Sequence, residues 1–138
     1  MPNYVGSLQP VVRQMASDRL NKIQSQLIFN ESGLVPVITQ QHDTGEVLML
    51  AWMNKEAIQE TLETGRVCYW SRSRASLWRK GETSGHTQKL IELRIDCDGD
   101  SLLALVDQIG PACHTHRRSC FYKAIRADTA VVISDPIV

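Results

Sequence analysis

Nothing constrains the fold of this chain more than Val47-Leu48-Met49-Leu50-Ala51-Trp52, a run of six apolar residues that is strand-length rather than helix-length. A second such run, Leu34-Val35-Pro36-Val37-Ile38, precedes it, and Asp43-Thr44-Gly45 between them carries turn chemistry. The two runs predict a buried hairpin. Asn54 then caps a helix whose apolar residues Ala57, Ile58 and Leu62 lie on one side, and Gly65 ends it. Val67-Cys68-Tyr69-Trp70 reads as a further strand, with Cys68 a small buried side chain. Lys89 to Ile95 largely alternates polar with apolar, and Ser101 to Ile109 is an apolar run that supplies its paired strand. Ahead of all these, Val12, Met15, Ala16, Leu20 and Ile23 recur at helical spacing and predict an amphipathic helix from Pro10 to about Gln26. At the other end Val131-Val132-Ile133-Ser134 is expected to add an edge strand.

Size and charge narrow the function. A chain of 138 residues with 43% apolar side chains suits one domain, residues 1–138, with a single core. Fifteen basic and fifteen acidic side chains cancel, which removes the bulk attraction that non-specific nucleic-acid or acidic-membrane binding uses. Any anion site is therefore local. No apolar run approaches the roughly 20 residues that span a bilayer, and the N-terminus lacks the basic and apolar regions of a signal peptide, so a soluble, cytoplasmic protein is expected. In a reducing compartment Cys68, Cys97, Cys113 and Cys120 are expected to be thiols or metal ligands rather than disulfides.

Three stretches carry chemistry. In Asp96-Cys97-Asp98-Gly99-Asp100 an extended backbone would put the three carboxylates on one face and Cys97 on the other. Oxygen donors suit a hard cation such as Mg²⁺, and a thiolate suits Zn²⁺. An EF-hand calcium loop is excluded, because its sixth and twelfth positions need Gly and Glu and are here Ser101 and Asp107. In the stretch from Gly110 to Tyr122, Cys113 and Cys120 can converge across a loop and, with Cys97, make three thiolates. A structural zinc site closed by His114 or His116 and a catalytic site with a position left for water both remain open. Between Ser71 and His86 lie four cations, several hydroxyls and two glycines, a mixture suited to phosphate, and Trp78 can stack on a base.

Taken together these motifs resemble the phosphoribosyl-AMP cyclohydrolase family of histidine biosynthesis. The resemblance rests on Val47 to Asn54, Ser71-Arg72-Ser73-Arg74, Leu77 to Gly85, Asp96 to Asp100, Gly110 to Thr115 and Arg117 to Tyr122, and covers a core of about 27–124. Residues 1–26 form an N-terminal helical extension outside it, and 125–138 a tail. Many relatives carry a fused phosphoribosyl-ATP pyrophosphohydrolase domain, so the monofunctional form is expected here. The resemblance implies a mixed α/β (α+β), strand-rich domain in an intertwined homodimer. It implies zinc held by Cys97, Cys113 and Cys120, with Cys97 supplied across the interface, and magnesium held by Asp96, Asp98 and Asp100. The implied reaction is hydrolytic opening of the adenine ring of N1-(5-phosphoribosyl)-AMP at N1–C6, by a zinc-activated water.

Within that reaction His114, beside Cys113, is the expected acid/base, since imidazole exchanges protons near neutral pH. Arg72, Arg74, Lys80, Arg117 and Arg118 are expected to neutralise the substrate's phosphates, and Trp78, Glu82 and Ser84 complete the expected substrate-binding set. His116 stands where the family pattern calls for a small residue, often Gly, and no role carries over to it. Two other readings compete. A zinc-dependent nucleobase deaminase would need the H-x-E and P-C-x-x-C signature, which is absent. A nucleic-acid-binding zinc module would use Trp70, Trp78 and the cations near them, against the neutral net charge and the acidic triplet. Nucleic acid and membrane are thus not expected as partners.

Overall fold

The structure, a computed structural model, describes residues 18–138. Its order is helical residues 18–24 (α1), β1 (Val35–Gln41), β2 (Val47–Met53), α2 (Lys55–Thr64), β3 (Cys68–Ser71), β4 (Ser76–Arg79), β5 (Gln88–Ile95), β6 (Leu102–Gln108), β7 (Lys123–Arg126) and β8 (Thr129–Val132). It is a mixed α/β, strand-rich domain. Residues 10–17 of the expected N-terminal helix lie outside the described residues, and the remainder is helical only as far as residue 24.

The expected hairpin forms: β1 and β2 pair antiparallel from Val35↔Met53 to Gln40↔Val47, with a register shift between Thr39 and Gln40. β5 and β6 likewise pair antiparallel. What joins the two hairpins is a parallel pairing of β1 with β6, Val37↔Leu102 through Gln41↔Val106, giving a four-stranded sheet in the order β2-β1-β6-β5. Alternation along a strand puts every second residue on one face. On the inner face β1 buries Val35, Val37, Thr39 and Gln41, while β6 buries Leu102, Ala104, Val106 and Gln108. Both rows run from apolar to polar in the same direction because the strands are parallel. Gln88 pairs with Gln108 and joins the polar end.

Asn54 caps α2 as expected, its Oδ1 accepting from Ala57 N at 2.8 Å, and the helix ends at Gly65. Ala57 and Ile58 are fully buried, worth about 1.5–3 kcal/mol for a side chain such as isoleucine. Thr61 is buried as well, and its hydroxyl joins the backbone of Cys68, receiving from its N–H at 2.9 Å and donating to its carbonyl at 3.2 Å. That contact fixes α2 on β3. Cys68 is buried as expected, and burial, followed by the contact with Glu60, pushes its thiol up to about 12.

Part of the basic stretch is strand: β4 pairs with β3, Tyr69↔Trp78 and Trp70↔Leu77, because Leu77 and Trp78 find aromatic partners there. Two expectations need correction. The tail strand adds no edge to the main sheet. β8 pairs with β7 in a separate two-stranded ribbon. Asp96 to Asp100 is not extended but a tight turn joining β5 to β6, in which Gly99 N–H donates to Asp96 O at 3.1 Å. Gly99 adopts φ 73°, and a Cβ there would lie 2.6 Å from Gln26 O, so the segment after α1 packs directly on this turn.

Asn54→Ala should cost about 1 kcal/mol by orphaning the Ala57 N–H at the helix start. A lower denaturant midpoint with an unchanged slope checks it, and an unchanged midpoint contradicts the cap.

Candidate functional site

The polar end of the sheet opens into a cavity of about 490 Å³. Three pieces of chain wall it. The β3–β4 hairpin and the loop after it contribute Arg74, Trp78, Arg79, Lys80, Glu82, Ser84 and His86; β2 contributes Met49; the loop after β6 contributes Cys113, His114, His116 and Cys120. This loop is anchored at both ends, by Cys120 N–H donating to Leu48 O at 2.7 Å and by Lys80 Nζ donating to Ala112 O at 2.5 Å. Lys80 also lies over the Trp78 ring, 5.1 Å from its centroid. Burial holds its ammonium below the usual lysine value, while Cys120 and Cys113 pull the other way.

Cys113 and Cys120 converge on one cavity, close enough for each to shift the other's ionisation. Burial raises Cys113, but the Thr115 hydroxyl donating to its Sγ at 3.0 Å, the Cys120 thiol and Lys80 together leave it below the ordinary value. Partial burial, then the charge and hydrogen bond of Cys113, push Cys120 up to about 11. The two sulfurs thus differ in how readily they lose a proton, Cys113 the more readily. Such a pair fits a soft cation, which displaces thiol protons and relieves the conflict. His114 stands exposed beside it.

The carboxylate turn sits at the opposite end of β5 and β6, roughly 20 Å away by the rise of seven strand residues. Asp96, Asp98 and Asp100 do converge, their candidate ligand atoms all within 4.8 Å of one another, although a turn and not alternation brings them together. Asp96 Oδ1 accepts from Asp100 N at 3.0 Å and Ser101 N at 3.3 Å. Contact with Asp96 raises the Asp100 carboxyl, the mark of two carboxylates sharing one small space. Oxygen donors so crowded fit a hard cation. Cys97 belongs to this end, exposed, and does not join Cys113 and Cys120 within one chain.

The cations expected to bind substrate divide. Arg74 and Lys80 line the cavity with Trp78, Glu82 and Ser84. Arg72 lies instead over the Trp52 ring at 4.6 Å, and Arg117 over Tyr122 at 4.1 Å with its Nε donating to Ser134 O. Arg118 donates to Glu46 and to the carbonyls of Gln108 and Gly110. Met49, Arg79 and Thr83 line the cavity without having been singled out; the pairing of β4 with β3 places Arg79 there. His116 has φ 66°, a left-handed backbone that explains the small residue expected there, and its side chain lines the cavity.

Fold and site together define a strand-rich α/β protein with a cation-lined, thiol-bearing cavity suited to a small anionic molecule. No helix among the described residues is long and apolar enough to cross a membrane. The family profile described as Phosphoribosyl-AMP cyclohydrolase matches residues 49–122. A phosphoribosyl-AMP cyclohydrolase of Granulibacter bethesdensis is 70% identical over 111 residues, 80% of this chain and 87% of that protein. Proteins of the same name from Rhodospirillum centenum and Alkalilimnicola ehrlichii are each 64% identical, covering 88% and 85% of this chain and 91% and 82% of their own lengths. The chain belongs to the phosphoribosyl-AMP cyclohydrolase family, enzymes of histidine biosynthesis.

Arg79 is aimed by Glu60 through two hydrogen bonds of 2.8 Å, and these hold the Glu60 carboxyl below its ordinary value of 4.5 against a smaller burial effect. A depressed folded value means the pair stabilises the fold above the unfolded value and stops doing so as pH falls through the folded one. Glu60→Gln should therefore lower the melting temperature by a few degrees at most near neutrality, the pair being partly exposed, and by nothing once Glu60 is protonated. Paired melts across that acid range check it; a difference that persists there contradicts the pairing.

Proposed function

We propose that this chain hydrolyses the N1–C6 bond of the adenine ring in N1-(5-phosphoribosyl)-AMP, yielding the formimino-imidazole-carboxamide ribotide. Zinc would be held by Cys113, Cys120 and Cys97 of the partner subunit, and magnesium by Asp96, Asp98 and Asp100. The observation that carries the reading is one cavity lined by Cys113, Cys120 and His114 together with Arg74, Lys80 and Trp78. Zinc, when bound, supplies Lewis acidity that brings the pKa of water from 15.7 to about 7.

The chain's own residues do the rest. His114, next in sequence to Cys113 and open to the cavity, accepts a proton from the attacking water and returns one to N1 as the ring opens. Arg74 and Lys80 offset the charge of the substrate's phosphates. Trp78, held against Tyr69 with ring centroids 5.4 Å apart, offers a face for the base. Ser84 and Glu82 on the same wall offer hydrogen bonds to ribose hydroxyls. Arg72, Arg117 and Arg118, engaged elsewhere, belong to packing in the single chain.

Ring opening followed by ultraviolet absorbance, with and without a chelator, tests the activity. Chelation should abolish turnover, and activity that survives complete removal of zinc overturns the zinc role. His114→Asn should keep zinc and lower turnover by about 10²–10⁴. Zinc lost in proportion to activity would make His114 a ligand instead.

The separation of Cys97 from Cys113 and Cys120 along β5 and β6 supports the proposed homodimer, because a three-thiolate set would then draw on a second chain. In a two-fold dimer Cys97→Ala and Cys113→Ala chains are each inactive alone, yet mixed dimers regain one intact site. Failure of mixed dimers to regain activity argues for a site built within one chain.

A further inference from the structure

Beneath the cavity runs a line of buried polar side chains that the proposed chemistry does not use. Thr39, Tyr69 and Gln88 have no exposed surface, and Gln41 and Gln108 are 4% and 5% exposed. Burying amides and hydroxyls costs stability unless every group is paired, and apolar residues would pack this end of the sheet at lower cost. These groups are paired, and in one sense only. Gln108 Nε2 faces three backbone carbonyls, Ile109 O at 3.0 Å, His86 O at 3.3 Å and Pro111 O at 3.4 Å. Carbonyls only accept, so this nitrogen must donate, and Gln108 Oε1 is left to accept from Gln88 Nε2 at 2.8 Å. Gln88 Oε1 then accepts from the Tyr69 hydroxyl at 2.6 Å, and that oxygen accepts from Thr39 at 2.6 Å. Each link fixes the orientation of the next.

Three of its members also touch the cavity wall. Tyr69 packs on Trp78, Gln88 Nε2 reaches Met49 Sδ at 3.3 Å, and Gln108 ends on the carbonyls of His86 and Pro111. Those last two belong to separate loops, which meet where Gly110 leaves room for the His86 imidazole: a Cβ at Gly110 would lie 2.9 Å from that ring. The main chain adds one bond between them, Ile109 N–H to Thr87 O at 3.0 Å. Gln108 is in turn held by its own N–H, which donates to Gln41 Oε1 at 2.9 Å.

We propose that Gln108 is a positioning residue for the reaction: with its amide oriented by the Thr39–Tyr69–Gln88 line, it clamps the His86 loop to the Gly110–Cys113 loop and so sets the two walls between which substrate is aligned. It touches no substrate. Its effect on turnover rests on the proposed activity, while its effect on the loops does not.

Gln108→Met keeps length and removes the donor. Turnover should fall about 10- to 10²-fold, the scale of a small misplacement of reacting groups, with a smaller change in KM. Amide hydrogen exchange in 81–87 and 109–113 should quicken at least 10-fold while α2 and the β1–β2 hairpin keep native rates. Tyr69→Phe, which removes one link without touching either loop, should move both readouts in the same direction by less. Native turnover together with native loop exchange in Gln108→Met overturns the proposal, as does faster exchange spread evenly over all strands with native turnover, which marks simple loss of stability. Should Gln108→Met fail to fold, the same two readouts on Tyr69→Phe decide. If the native protein opens no ring, the proposed function fails, and loop-selective exchange alone decides the clamp.

Discussion

The parallel pairing of β1 with β6 is the contact on which the rest of the molecule depends. It joins segments about 65 positions apart, and because the two strands run the same way, their apolar starts and polar ends coincide. The sheet therefore has an oily end under α2 and a polar end under the cavity. An antiparallel pairing of the same strands would set Gln41 near Leu102 and leave both without a partner. Gln41, Gln108 and Gln88 tolerate burial because this sheet brings them into hydrogen-bond reach, and Thr39 and Gln88 find their remaining partner in the Tyr69 hydroxyl of β3.

The β5–β6 hairpin divides the chemistry. Its turn carries the carboxylates and Cys97, while its open end leads into the loop with Cys113, His114 and Cys120. The carboxylates and the Cys113–Cys120 thiols are thereby kept apart within one chain by the length of a strand pair, with Cys97 at the carboxylate end. Such a separation would limit competition for one ion were metals bound at both ends, since oxygen and sulfur donors prefer different cations.

Cation placement follows the same economy of contacts. Lys80 serves the wall it stands in, tying the Ala112 carbonyl and covering Trp78, and Arg118 gathers carbonyls at the base of the thiol loop. The C-terminal residues close over the outer side of that loop, with Ile137 N–H donating to His116 O at 2.8 Å. Neighbours hold this loop through both its backbone and its side chains, Arg117, Arg118 and Ser119 among them.

Most strands and the helix were legible in the sequence because burial period, capping and turn chemistry are local: Val47 to Trp52, Asn54, Gly65 and the alternation before Asp96 each act within a few residues. That carboxylates and thiols are candidate donors was legible for the same reason, since that chemistry belongs to residue type. Tertiary structure alone decided which donors meet. Extended alternation and a tight turn both gather Asp96, Asp98 and Asp100, but only the turn's own hydrogen bonds and the packing of Gly99 on Gln26 select between them. Whether an arginine faces a cavity or an aromatic ring depends on strand pairings tens of residues away, which is why Arg74 and Arg72, two positions apart, have different surroundings. The line from Thr39 to Gln108 had no sequence signal at all, because four polar residues in four apolar strands acquire meaning only when register brings them into hydrogen-bond contact.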